Sequence, residues 1–490
     1  MGGETIQKII SKSKYMNGLQ CPKLLWFVFN EPGEIPEADE ATKFILDQGN
    51  EVTNLAKKLF PRGIEVPHDN NFIEGTKILV AQRKTIFEAA FSYRGTFAKL
   101  DILNPVNKEE WDIIEVKSST QVKDENIDDV AFQRYVVQAN GLKVRRCHEM
   151  YVNNEYVRHG KIDPEKFVTQ EDITDLVAQK LPVVEDNVRE MQKVIALGKP
   201  PKMSIGPHCS NPYGCPVVDK CWAFLPEHNV TELYYSRQKF ELIDKGILGI
   251  KDLPTGFKLS EKQAIQKEAI NKGKPVISKE KIKQFLESLE YPLYCLDFET
   301  LNVAIPPFDR ARPYQKIAFQ FSIHCIRNHR GQVESYEFLA DGRDNFATEV
   351  VEALKVIGPK GTVLAYHMSF EKQVLEALEE LSPKDGEWLR GIIGRLKDLE
   401  VPFKSYSYYH PKQHGSCSLK VILPLLSGKS YGGMEIQEGG MASVAYYTTH
   451  FRDCPTHEKE KVRKALLEYC KLDTEGMVDI LRKLEEVSRG

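Results

Sequence analysis

One stretch, Arg94 to Thr120, constrains this chain more than any other: RGTFAKLDILNPVNKEEWDIIEVKSST, two apolar runs joined by a polar, proline-containing segment. In the first run Phe97 and Leu100 lead into Asp101, followed by Ile102 and Leu103. In the second, Trp111, Ile113, Ile114 and Val116 alternate imperfectly with Asp112, Glu115 and Lys117. Asn104-Pro105 and the residues up to Glu110 supply a turn, so the pattern predicts a β-hairpin. Strand side chains alternate faces, which puts Glu115 and Lys117 on one side and Val116 on the other. If the hairpin is in register, Asp101 joins them. Two carboxylates and a lysine facing one space suit phosphodiester hydrolysis, the acids holding Mg2+ or Mn2+ and the lysine positioning the attacking water. The competing reading is an ion pair on an exposed hairpin face.

A chain of 490 residues exceeds one ordinary core, so two or three domains are expected. With 41% hydrophobic and 28% charged residues the composition is that of a soluble globular protein. No apolar run reaches the length of a membrane span and the first residues carry no apolar signal core, so the expectation is a cytoplasmic chain with no membrane partner. The net charge of -3 is no global basic signature, and nucleic acid would have to meet a local patch. The 10 cysteines lack the spacing of a small disulfide framework, which leaves metal or cluster ligation for any that gather.

Residues 11–29 read as a helix running into Cys21-Pro22 and then an apolar segment. Cys209, Cys215 and Cys221 follow at equal steps in a loop rich in Pro, Gly and Asn, where irregular backbone lets thiolates turn to one centre that Cys21 completes. Four thiolates also suit Zn2+, although its usual C-x2-C knuckles are missing. Residues 44–60 form a helix pattern with Gly49 and Glu51 at its start, and residues 128–141 an amphipathic helix with Gln133 and Tyr135. Helical coverage is expected over 170–200, and short helices joined by Gly and Pro turns over 230–290.

At Tyr291 the pattern changes. YPLYCLDFET predicts an apolar strand with Asp297 and Glu299 on one side and Phe298 on the other. IAFQFSIHCI and SYEFLA predict a meander behind it; TVLAYH then leads to a helix that begins near Glu371, and the chain closes on a long helix in which Tyr469 and Asp473 share a face. Acids on an apolar strand are costly to bury unless something binds them; the bland alternative is an exposed strand edge. His410, His414, Cys417 and Lys420 have the residue types of a metal cluster, but are read ahead of that as a basic loop touching nucleic-acid backbone, or a loop feeding the helix at Leu419.

The acid-turn-E-V-K order of Asp101, Glu115 and Lys117 resembles the core of the PD-(D/E)xK nucleases, specifically the RecB-like branch. The four cysteines are similar to the iron-sulfur staple of RecB-like nucleases, which implies that Cys21, Cys209, Cys215 and Cys221 hold a 4Fe-4S cluster, Zn2+ being the alternative. The same resemblance implies that Glu51 reaches the metal, or is a solvated helix acid. It also implies that Gln133 contacts phosphate or orients a water, with Tyr135 beside it or packing in the core. Asp297, Glu299, Glu371, Tyr469 and Asp473 resemble the set of the DEDDy exonucleases of the RNase H-like fold, in which four acids bind two metals and the tyrosine orients the water. That family's second motif ordinarily reads N-x3-D, where this chain has His367-x3-Glu371.

Together these features imply an α/β chain. A PD-(D/E)xK restriction-endonuclease-like domain with a four-cysteine staple is expected over 1–230, a helical linker over 231–290, and an RNase H-like mixed sheet with helices over 291–490. The fusion resembles uncharacterised bacterial and archaeal nucleases predicted from sequence. It implies a nuclease dependent on Mg2+ or Mn2+, exonucleolytic on DNA ahead of RNA, acting in repair or defence with proteins of those processes as partners. The alternatives are an RNA exonuclease and a non-catalytic iron-sulfur module that binds nucleic acid.

Overall fold

Arg94 and Gly95 both take positive φ, 43° and 80°, the backbone of a two-residue turn whose twist suits an antiparallel hairpin. That turn founds the larger of two main sheets in a computed structural model that describes residues 8–67, 71–329, 331–343 and 346–489. The chain is mixed α/β and divides into two compact units, Met1–Phe224 and Leu225–Gly490. Among the described residues no helix is long and apolar enough to cross a membrane.

The sheet of the first unit contains β1 (Ile10–Ser11), β2 (Ile64–Glu65), β3 (Ile86–Tyr93), β4 (Thr96–Pro105), β5 (Glu110–Lys117), β6 (Lys143–Val152) and β7 (Val168–Asp172). Its order is β2-β3-β4-β5-β6-β7, with β1 pairing parallel to β4 at its start. The expected hairpin is β4-β5, with Ile102 opposite Ile114 and Leu103 opposite Ile113. Its partner β6 runs parallel to β5, so the connection must cross over, and the helix Asp124–Ala139 makes that crossing. This helix lies in the core through Val130, Phe132 and Val136. Over it runs the helix Thr174–Ile195, which buries Val177, Val184, Val188, Met191 and Ile195 at helical spacing.

Ahead of the sheet, the apolar segment after Cys21 is itself helical. The helices Lys12–Gln20 and Pro22–Asn30 are separated by Cys21 in extended backbone (φ -161°, ψ 120°). Proline disfavours helical backbone in the residue before it and is tolerated as a first helical residue, so Pro22 ends one helix and begins the next. The helix Glu40–Lys57 starts earlier than expected, capped by Asp39, which leaves Gly49 and Glu51 in its second half.

In the second unit, β8 (Val276–Ile277) pairs with a distant two-residue strand, Tyr408–Tyr409. The main sheet is β9 (Leu293–Leu301), β10 (Ile317–Ile326), β11 (Val333–Leu339), β12 (Thr362–Ala365) and β13 (Leu396–Asp398), in the order β11-β10-β9-β12-β13. β9 is therefore central, antiparallel to β10 and parallel to β12. The final helix, Thr456–Arg489, is pinned to β10 by buried hydrogen bonds: Gln320 Nε2 donates to the Leu466 carbonyl (2.7 Å), and Thr474 Oγ1 meets Ser322 Oγ (2.7 Å) and His324 Nδ1 (2.8 Å). The stretch 231–290, expected as a linker, belongs to this unit. It carries short helices and a small core built on Leu233, Leu242, Ile250 and Ile270, joined by Val230 just ahead of it.

Gly361 enters β12 at φ 93°, and a Cβ there would stand 2.1 Å from the Pro292 carbonyl oxygen. Gly428 also has positive φ (77°) but open space around it. Gly428→Ala is expected to cost about 1 kcal/mol from backbone conformation. Gly361→Ala should cost clearly more, because backbone must also move; chemical denaturation of the two variants checks the order.

Candidate functional site

In the first unit the hairpin register brings Asp101 beside Glu115, and Asp101 Oδ2 accepts the Val116 N–H at 2.8 Å. Glu115, 1% exposed, accepts from Lys117 Nζ (2.7 Å) and Lys12 Nζ (2.7 Å) on Oε1 and from Gln133 Nε2 (2.8 Å) on Oε2. The expected set of Asp101, Glu115, Lys117 and Gln133 thus converges on one face of the sheet. The structure adds Asp129, one turn before Gln133, which accepts from Lys117 (2.7 Å) and from Gln133 Nε2 (3.1 Å). It also adds Glu149, fully buried on β6 directly opposite Glu115. Glu149 Oε1 accepts from Asn126 (2.7 Å), whereas Oε2, like Gln133 Oε1, is buried without a hydrogen-bond partner among the described residues.

The electrostatics divide the carboxylates. Burial, reinforced by the Glu115 charge, pushes Asp101 up to about 7. Burial pushes Glu115 upward too, but the ammonium groups of Lys117 and Lys12 outweigh it and hold the carboxyl at about 2. The lysines bond to Glu115 and not to Asp101, so Asp101 is the acid of the pair that is pushed upward. Burial raises Glu149 to about 7.

Glu51 accepts from Gln48 Nε2 at 3.1 Å, and its helix nears the end of β5, where a Cβ on Gly49 would lie 3.9 Å from Ser118 Oγ. Tyr135 packs edge-on to Tyr93 at 5.9 Å between ring centroids, the core role that was its alternative. The four cysteines gather: Cys21, Cys215 and Cys221 pack in one apolar cluster, and Cys209 joins them through the hydrogen bond from Cys215 N–H to its carbonyl (3.0 Å). Burial raises the Cys21 and Cys215 thiols, with nearby cysteines adding to both shifts. Gln20, next to Cys21, donates to the carbonyls of His208 (2.9 Å) and Tyr213 (2.7 Å) and ties the cysteine loop to the first helix.

In the second unit Asp297 and Glu299 sit on the central strand β9, and Asp473 on the last helix. Each of the three puts a carboxylate oxygen within 4.8 Å of the other two. Glu371, 2% exposed in the first turn of the helix Ser369–Leu381, has an Oε2 with no hydrogen-bond partner among the described residues. Burial followed by the neighbouring carboxylates raises Asp297 and Glu299 well above the usual range. Burial raises Glu371 to about 8 and Asp473 to about 7. No lysine or arginine forms an ion pair with these four acids among the described residues, in contrast to the first centre. Lys420 only moderates Glu299 and Asp473 from a distance.

Tyr469 stands one helical turn before Asp473, against Tyr431 (5.8 Å between ring centroids). Tyr431 was not foreseen; its hydroxyl donates to Asp473 Oδ1. Cys470 is also drawn into the group: its Sγ donates to Asp297 Oδ2 at 3.4 Å. His367, at φ 72°, turns away from the acids: its N–H donates to Asp398 Oδ1 (3.0 Å) and its ring meets Glu400 (3.2 Å). Asp398 is close enough to Glu371 to raise its pKa.

Residues 294–418 match a domain of unknown function (DUF2779). The match takes in Asp297, Glu299 and Glu371 and stops short of Tyr469 and Asp473. No curated protein matches the chain significantly.

Asp101, Glu371 and Asp473 hold their protons more tightly folded than unfolded. Their stabilising contribution is full below about pH 4 and is lost as pH rises through about 7 to 8. With a chelator present, the melting temperature should therefore fall between about pH 5 and about pH 9, and saturating Mg2+ or Mn2+ should recover much of the loss. A metal-independent, flat profile over that window would contradict the account.

Proposed function

We propose that this chain is a metal-dependent nuclease that hydrolyses phosphodiester bonds of DNA, exonucleolytically, in repair or in defence against foreign nucleic acid. The observation that carries the reading is the group of half-buried Asp297 with buried Glu299, Asp473 and Glu371, which forms no ion pair with a lysine or arginine among the described residues. Several carboxylates brought together out of water are strongly unfavourable unless protonated or bound to cations. Their oxygen donors fit Mg2+ or Mn2+, and the unpartnered Glu371 Oε2 is an available ligand atom. Bound there, divalent cations would polarise the phosphate and activate water for in-line attack.

The chain's own groups would complete the site. Asp297, Glu299, Glu371 and Asp473 hold the cations, Tyr431 fixes the orientation of Asp473, and Tyr469 aligns the attacking water. A central strand in a mixed sheet, with acids on its face and an acid and tyrosine on a packed C-terminal helix, supports the RNase H-like, DEDDy reading. In the first unit Asp101, Glu115 and Glu149 would hold a cation, with Lys117 and Gln133 orienting the water and phosphate. The hairpin, the parallel β5-β6 pair and its crossover helix support the PD-(D/E)xK reading. Lys12 and Lys117 already neutralise that centre in part, so a cation must compete with Lys12 for Glu115. DNA stands ahead of RNA on the RecB-like resemblance.

Cys21, Cys209, Cys215 and Cys221 would hold a 4Fe-4S cluster, which supplies a cross-link between the first helices and the loop after the first sheet. Among the described residues, the groups of three donors within 4.8 Å of one another contain no cysteine. A single tetrahedral zinc, with Zn–S near ~2.3 Å, needs closer sulfurs than a larger cluster does.

The near-isosteric Asp297→Asn and the separate Lys117→Ala, assayed on end-labelled single-stranded DNA, duplex DNA and RNA with Mg2+ or Mn2+, apportion the activity. Each is expected to lower cleavage by its own centre at least about a hundredfold. Wild-type protein that cuts none of these substrates would sink the reading. Anaerobically purified protein should be brown, and Cys209→Ser should lose the visible absorption; colourless protein with stoichiometric zinc would replace the cluster with the metal.

A further inference from the structure

We propose that Glu227, His228 and His414, in the second unit, form a site for a transition-metal dication of the Zn2+ class, distinct from the acidic centres and from the four cysteines. One donor atom from each residue lies within 4.8 Å of the other two. Behind them stands Glu232, whose Oε2 is 3.2 Å from His414 Nδ1 and 3.8 Å from His228 Nδ1. The two imidazoles lie nearly parallel, 5.0 Å between centroids and 21° between planes. With His414 Nδ1 hydrogen-bonded to that carboxylate, Nε2 is the nitrogen its ring has left for an ion, while His228 Nδ1 is buried with no hydrogen-bond partner among the described residues. His228 Nε2 faces Glu227 Oε1 at 3.7 Å. A carboxylate behind a histidine fixes its tautomer and raises its basicity as a ligand.

The surroundings are built to hold these loops. Gln266, 0% exposed, donates through Nε2 to the Glu232 carbonyl (2.9 Å) and to the Tyr409 hydroxyl (3.3 Å), and that hydroxyl accepts from Gly415 N–H (3.2 Å). The His228 carbonyl accepts the Ile250 N–H at 2.9 Å. On the other side the site is open, since the Glu227 and His414 side chains are 75% and 44% exposed. Two imidazoles, one carboxylate and a solvent-facing fourth position suit zinc-like ions, whereas Mg2+ prefers oxygen ligands throughout. The ion would fasten the segment 227–232 to the loop ahead of the helix Leu419–Ser427. That helix carries Lys420, whose charge bears on Glu299 and Asp473, so the site would act as a positioning device for Lys420.

Cobalt(II) titration of the full-length chain, in excess Mg2+ to fill the acidic centres, tests the site. Wild type should show ligand-field bands of nitrogen and oxygen coordination at one ion per chain, and these should persist in Cys209→Ser, which would alter only sulfur charge-transfer absorption. The double variant His228→Asn, His414→Asn keeps an amide donor toward Glu232 and tolerates the positive φ of both positions (56° and 48°), but has no Nε2. It should lose at least about a hundredfold in cobalt affinity while melting like wild type in chelator. Should that variant not fold, Glu227→Ala, at an exposed side chain, should still weaken cobalt at least about tenfold. Absence of such bands in wild type, or unchanged affinity in the folded variants, overturns the site.

Discussion

Carboxylates gathered out of water on the face of each main sheet are the constraint on which the rest of this molecule turns. A charged acid removed from water must be paired, protonated or bound to a cation, and the two units meet that demand differently. Around Glu115 the answer is internal: Lys12 and Lys117 each donate to the same oxygen and hold the acid ionised while Asp101 is pushed upward. Around Asp297 there is no such pair among the described residues, and every member of the group is pushed upward. The second centre therefore has the greater need of an added cation, which is why the proposed activity rests on it first.

Sheet connectivity decides which acids meet. A hairpin alone delivers Asp101 and Glu115, but the parallel partner β6 sets Glu149 opposite Glu115, and the crossover helix that parallel pairing requires brings Asp129 and Gln133 over the same face. In the second unit β9 is the central strand, so helices from both later parts of the chain can reach its acids. The hydrogen bonds from Gln320, Ser322 and His324 to the last helix set the height at which Asp473 stands over Asp297 and Glu299.

Much of this was legible in the linear pattern because strand alternation and helical spacing are local. Glu115 with Lys117, Asp297 with Glu299, and Tyr469 with Asp473 each share a face by backbone period alone. Lys12 was missed because it lies more than a hundred residues from Glu115, and nothing in a helix of polar residues marks one lysine as buried against an acid. Tyr431 and Cys470 were missed for a related reason: neither residue type announces a carboxylate partner. The stretch 231–290 looked like a spacer because its helices are short, yet tertiary packing gives it a core and turns His228 and Glu232 toward His414.

By itself the sequence determined the two acidic strands and the helices that carry Gln133 and Asp473, since these follow from residue type and short-range periodicity, whereas the set of four cysteines came from a family resemblance. Only the tertiary structure decided which acids keep their protons, which lysines stand against them, and that Glu149 and Glu371 end with unpartnered oxygens. Those properties depend on burial and on distances between chain-distant atoms, and neither quantity exists until the chain is folded.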